Sequence, residues 1–341
     1  MFTERLALLP GGIQLSYTDS GAPAEDCTDY TTVIIAHGMG FNARGFEKLH
    51  DLAAKHNFRT IAFQRRGYQG STEYTASELD DQYSGKKVFI DRLALELAYF
   101  CQHIVEEHTI PLRSKDGKSG GIALLGWSMG AVSVMPAKLP CKIYTVPGFI
   151  WYAFEDFQSL RNEVEAYGYD LPSDYEAPKP VNGDQKQALT NEEIYGAVRI
   201  AISGYYDKPK DWSGDINTLD QRMRADEVTV DRWTAEENTK YFSLESAMKT
   251  DFSMFLPPFQ KLLGEMTQRV LFMPVTLLYP ERTHWYCVWG AWVTQKLYKE
   301  CVNRDEVVRQ LNVVHITGGN HFTHYDKPDE FLTAVQFGLG S

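Results

Sequence analysis

The chain has 341 residues, 43% hydrophobic and 23% charged, a globular balance that one large domain or two moderate ones can hold. Its 34 basic and 45 acidic residues leave a formal net charge of −11, which repels a phosphate backbone, so nucleic acid is not an expected partner. The five cysteines contain no CxxC pair, the start MFTERLALLPGG has no long apolar signal core, and no apolar run nears the ~20 residues that span a bilayer; the expectation is a cytoplasmic protein without a metal site, disulfide framework or membrane span.

In chain order, ERLALLPGGIQLSYTDSG reads as two strands about a Pro-Gly-Gly turn. TTVIIAHG (31–38) is a continuous apolar run, the pattern of a strand buried on both faces. Helical spacing over 45–57, a strand over 58–67 and a long helix over 86–108 follow, and GGIALLG (120–126) is the next strand. A further strand begins near Cys141. The alternation dissolves from 149 to 268, which is aromatic-rich and too apolar for disorder. It resumes with a strand over 269–279, a helix over 289–302, a strand over 312–317 and a helix over 327–339. The expected architecture is α/β, with a mostly parallel central sheet flanked by helices. Residues 1–148 and 269–341 form its core, and 149–268 an inserted, mainly helical cap.

The strand at 120–126 runs into GWSMG (126–130) and a helix start. A Gly-x-Ser-x-Gly turn between strand and helix lifts the serine hydroxyl above the sheet, so Ser128 is the candidate nucleophile. The following backbone N–H, that of Met129, sits at a helix N-terminus and can stabilise an oxyanion.

With AHGMG (36–40), QRRGYQGST (64–72) and GGNHFTHYDKPDEF (318–331) in the same order along the chain, the sequence resembles the α/β-hydrolase superfamily, in particular its lid-bearing, serine-nucleophile esterases and lactonases. The resemblance covers about two-thirds of the chain. It implies an α/β-hydrolase fold, a second oxyanion donor at the Met39 N–H, and His321 as the general base, with His324 its nearest rival. Two positions depart from the family pattern: Gln64 stands at a usual Asp, and Thr283 stands where the acid of the triad is expected in YPERTHW (279–285). Glu281 is the expected substitute. Glu155 and Asp156, in the loop after the preceding strand, are alternatives, as is a triad with a non-carboxylate orienter. Only 13 residues separate Ser128 from Cys141, and Pro136 interrupts them, so the helix behind the serine is short or kinked, or the strand is misplaced.

A serine nucleophile argues for acyl transfer to water from an ester, lactone or thioester, without a cofactor. Trp127 and the cap aromatics Trp151, Tyr152 and Phe154 are the expected contacts of an apolar small-molecule substrate. Two other readings stay open: a lyase or other C–C bond-cleaving enzyme on the same scaffold, and a ligand receptor of hydrolase shape with little turnover.

Overall fold

The structure is a computed structural model describing residues 2–24, 26–136, 142–146, 191–255, 258–259, 262–263, 275–306, 308 and 310–339. Strands β1 (Thr3–Leu9) and β2 (Ile13–Asp19) pair antiparallel about the Pro10–Gly12 turn, with Leu9 opposite Ile13. β3 (Thr31–Ala36), β4 (Phe58–Phe63), β5 (Ile122–Trp127), β6 (Lys142–Val146), β7 (Val275–Pro280) and β8 (Leu311–Ile316) complete an eight-stranded sheet in the order β1-β2-β4-β3-β5-β6-β7-β8. Every pair from β4 onward in that order is parallel, as the strand–helix alternation predicts.

The central strands are mostly apolar because both of their faces are covered. In β3, Val33 and Ile35 enter one core while Ile34 and Ala36 enter the other. In β5, Ala123, Leu125 and Trp127 join the first core and Leu124 the second. Helix Lys87–Glu107 covers the second face with Leu97, Phe100, Cys101 and Ile104. Helices Glu47–Ala53 and Pro328–Leu339 cover the first with Leu49, Ala53, Phe331, Leu332 and Val335. Each fully buried Leu, Val or Phe among them contributes about 1.5–3 kcal/mol relative to exposure.

The helix behind β5 is only Ala131–Val134. Pro136 has no N–H to continue it, so the helix stops at its C-cap Met135, itself still helical at φ −67 and ψ −37, and the next strand starts at Lys142. Of the two readings of this interval, the short helix is the one found. In the 149–268 segment, the described part has helix Asn191–Ile202, helix Ala235–Tyr241 with a Thr234/Glu237 capping box, and several single turns. It touches the sheet side through a bridge between Phe41 and Phe242.

Because β3, β5, β7 and β8 are parallel, the loops after them open at one edge of the sheet. The chain steps from β3 to β4 on one side and then to β5 on the other, which creates a crevice at that edge. No helix among the described residues is long and apolar enough to cross a membrane.

Candidate active site

Ser128 follows the last residue of β5 with φ +55, in the left-handed region that L-residues avoid. Holding a non-glycine residue there costs about 1–3 kcal/mol, so the surrounding fold must impose it. The flanking glycines are required by contact: a Cβ at Gly130 would lie 2.0 Å from the Ala36 carbonyl oxygen, and one at Gly126 2.5 Å from Ala131 Cα. The turn therefore presses the start of the helix against both β3 and β5. The His37–Gly40 loop after β3 is packed equally close, since a Cβ at Gly38 would lie 3.0 Å from Ser128 Cβ. Met39 and Met129, whose backbone N–H groups are the expected oxyanion donors, share one apolar cluster.

His321 enters from the loop after β8. The Trp127 indole N–H donates to its carbonyl oxygen at 2.8 Å, and the two rings lie 5.2 Å apart. The residue next to Ser128 thus pins the histidine loop. Trp127 is 1% exposed and packed among Phe41, Phe46, Phe322 and His324. The expected substrate contact is corrected on this point: the indole is consumed by the core and positions His321. Trp151, Tyr152, Phe154, Glu155 and Asp156 lie outside the described residues.

Asn320 anchors the same loop to the inserted segment. Its amide donates to the Ser203 carbonyl at 2.8 Å and to Thr229 Oγ1 at 2.7 Å, while its oxygen accepts the Phe322 N–H at 2.8 Å. His324, the rival base, is buried between the Trp127 and Phe46 rings.

The structure does not bring Glu281 to His321. At the end of β7 its carboxylate meets His315 Nδ1 at 3.0 Å on the partly exposed side of β8, and the expectation of Glu281 as the acid is corrected accordingly. The group at His321 Nδ1 is the Cys287 thiol, 3.5 Å away. It comes from the first turn of helix Trp285–Asn303. Thr283, in the acid's sequence position, is 1% exposed; its hydroxyl makes no hydrogen bond among the described residues, and it acts on the Cys287 thiol to lower its pKa. Burial outweighs this and pushes the thiol up to about 12. Burial likewise carries His321 down to about 3, with no compensating carboxylate among the described residues. Both groups are neutral at physiological pH.

The His37–Gly40 loop is braced by residues whose bracing role the sequence did not show. His37 Nδ1 donates to the Gly38 carbonyl at 2.9 Å and its Nε2 accepts the Arg65 N–H at 3.1 Å, which fixes its tautomer and a structural role. The Arg65 guanidinium donates to the Gly38 carbonyl at 3.1 Å and to both carboxylate oxygens of Asp251 at 2.8 Å. Asp251 closes a π-helical turn, Ala247–Asp251, in the inserted segment, and also accepts from Tyr68 and from the Gly40 N–H. Gln64, the other departure, accepts the Ala43 N–H at 3.1 Å and so supports the next stretch of that loop. Among the described residues no cluster of His, Cys, Asp or Glu has the form of a metal site.

The sequence profile described as the Alpha/beta hydrolase family matches residues 33–334. Similar solved structures include epoxide hydrolase A from Mycobacterium thermoresistibile, 16% identical over 99% of this chain and 98% of that one, with a TM-score of 0.51. A loop variant of the haloalkane dehalogenase DbeA from Bradyrhizobium elkanii is 13% identical over 99% and 96%, with a TM-score of 0.52. Epoxide hydrolase VrEH1 from Vigna radiata is 13% identical over 98% and 97%, with a TM-score of 0.53. At these identities the likeness is one of fold. No curated protein matches the sequence.

Proposed function

The chain belongs to the α/β-hydrolase family, and from that premise we propose that it is a serine hydrolase cleaving an ester, lactone or thioester of an apolar small molecule in the cytoplasm through an acyl-enzyme. The observation that carries the reading is Ser128 itself: a serine at φ +55 on the strand-to-helix turn, abutting the Gly38 loop, with the His321 loop fastened to its neighbour Trp127. An aspartate at that position would favour epoxide or haloalkane chemistry, so the activities named for the structural neighbours do not transfer.

In this reading Ser128 Oγ attacks the acyl carbon and His321 Nε2 takes its proton. The Met39 and Met129 N–H groups hold the oxyanion. The proton passes to the departing alkoxide or thiolate as its bond to carbon breaks. Water then attacks the acyl-enzyme, gives its proton to His321, and Ser128 leaves reprotonated. Residues 149–268 act as the lid that selects the substrate, with Trp151, Tyr152 and Phe154 as its apolar contacts.

One observation favours the non-hydrolytic alternative on the same scaffold: among the described residues no carboxylate stands at His321 to stabilise an imidazolium. Incubation with p-nitrophenyl acetate and butyrate and with a fluorophosphonate probe decides between them. Turnover and labelling are expected in the wild type and lost in Ser128→Ala, with turnover also lost in His321→Ala. A wild type that neither labels nor turns over would remove the acyl-enzyme.

A further inference from the structure

A histidine base needs its Nδ1 proton fixed, because only then is the Nε2 lone pair directed at the nucleophile. In this fold, Glu281 is turned to His315 and the acid's own position holds Thr283. The groups around His321 are the Cys287 thiol on Nδ1, His284 at the N-terminus of helix Trp285–Asn303, and His324 beyond the loop. Among the described residues, the negative charge acting on that set is Asp220, through His284.

We propose that Cys287, backed by the Thr283 hydroxyl, is the positioning residue that takes the place of the triad acid, with the sulfur accepting the His321 Nδ1 proton as a neutral thiol. The inference rests on the serine hydrolase reading for its catalytic consequence, but not for its geometry. Three features support it. The sulfur lies 3.5 Å from Nδ1, within the reach of a sulfur hydrogen bond. Thr283 stands immediately before the helix N-cap His284, and its side chain acts on the Cys287 thiol. Thr283 Oγ1 is buried and makes no other hydrogen bond among the described residues, leaving its hydroxyl proton for the sulfur, the direction that lowers the thiol pKa.

A thiol can fix the tautomer but adds no charge against an imidazolium. His321 then stays unprotonated well below the usual histidine range, where burial already holds it. The expected kcat/KM for p-nitrophenyl acetate is therefore flat from about pH 8 down to about pH 5, with no histidine limb near the ordinary value of about 6.5. Thr283→Asp supplies the missing charge and should bring the limb up by about 2–3 pH units, into the measured range. Cys287→Ala should lower kcat/KM by about tenfold or more while Ser128 still labels, and Cys287→Ser should recover most of the loss.

Nitrogen NMR of histidine-labelled protein at neutral pH reads the tautomer without turnover. His321 is expected to carry its proton on Nδ1 in the wild type and to lose that preference in Cys287→Ala. A wild type with the proton on Nε2 overturns the proposal, as does an unchanged rate in Cys287→Ala or an unmoved limb in Thr283→Asp. If the tautomer and its Cys287 dependence are found but no serine labels, the hydrolase reading fails and the positioning role stands.

Discussion

Asp251→Asn tests how the inserted segment is joined to the catalytic edge. Asp251 is fully buried and Arg65 nearly so, and their two 2.8 Å contacts leave the guanidinium no solvent to replace the lost charge. Breaking a buried pair from one side costs about 3–5 kcal/mol, because the remaining ion is stranded. At about 2.1 cal/mol/K of unfolding entropy per residue, 341 residues give about 0.7 kcal/mol/K. The expected fall in Tm is then about 4–7 °C by thermal melting. Activity should fall further than stability implies, because Arg65 also holds the Gly38 carbonyl and Asp251 the Gly40 N–H. Loosening that loop should reduce kcat for p-nitrophenyl acetate by about 10–100-fold. The double variant Arg65→Met, Asp251→Leu removes both charges and should be more stable than Asp251→Asn alone. A wild-type melting temperature in Asp251→Asn, or a double variant less stable than Asp251→Asn, would refute the reasoning.

Three shorter predictions concern other parts of the site. Glu281→Gln should keep kcat/KM within about twofold of wild type, since only a partly exposed pair with His315 is lost; a loss near 100-fold would return Glu281 to the triad. His321 and His284 are held by burial down to about 3 and His50 to about 4. Below about pH 6.5 the unfolded chain therefore binds more protons than the folded one, and stability falls as pH falls. At about pH 5 each buried histidine costs about 2 kcal/mol, so melting should drop by several degrees between pH 7 and pH 5, and a flat profile would show that these rings take up protons in place. Gly130→Ala forces a Cβ to 2.0 Å from the Ala36 carbonyl, so it should cost about 3 kcal/mol or more; soluble yield and Tm report it.

The strands were readable because a parallel sheet covered on both faces leaves unbroken apolar runs, as in TTVIIA and IALLGW. The turns that carry Ser128 and His321 were readable because tight turns demand glycines at fixed offsets, in GWSMG and GGNHF. What escaped the sequence was every group whose role depends on a distant partner. Arg65 and Asp251 are 186 residues apart, and nothing local marks either as half of a pair. Cys287 was set aside with the other cysteines because it belongs to no metal or disulfide spacing. Its four-residue offset from Thr283, at the point where the acid was sought, was the only signal available. Trp127 was misread for the opposite reason: an aromatic beside a nucleophile suggests a ligand, whereas this one is fully enclosed by Phe41, Phe46 and Phe322.

The π-helical turn Ala247–Asp251 sets a limit on how the inserted segment can vary in length. Such a turn holds one residue more than an α-helical turn. Deleting that residue would restore ordinary spacing and swing position 251 by about 100°, away from Arg65 and the Gly40 N–H. The segment would lose its grip on the oxyanion loop although no residue of the proposed triad had changed. Insertions earlier in the segment can be absorbed by its loops, but the five residues before Phe252 form a fixed gauge. Variation in length can accumulate upstream of them and must stop there.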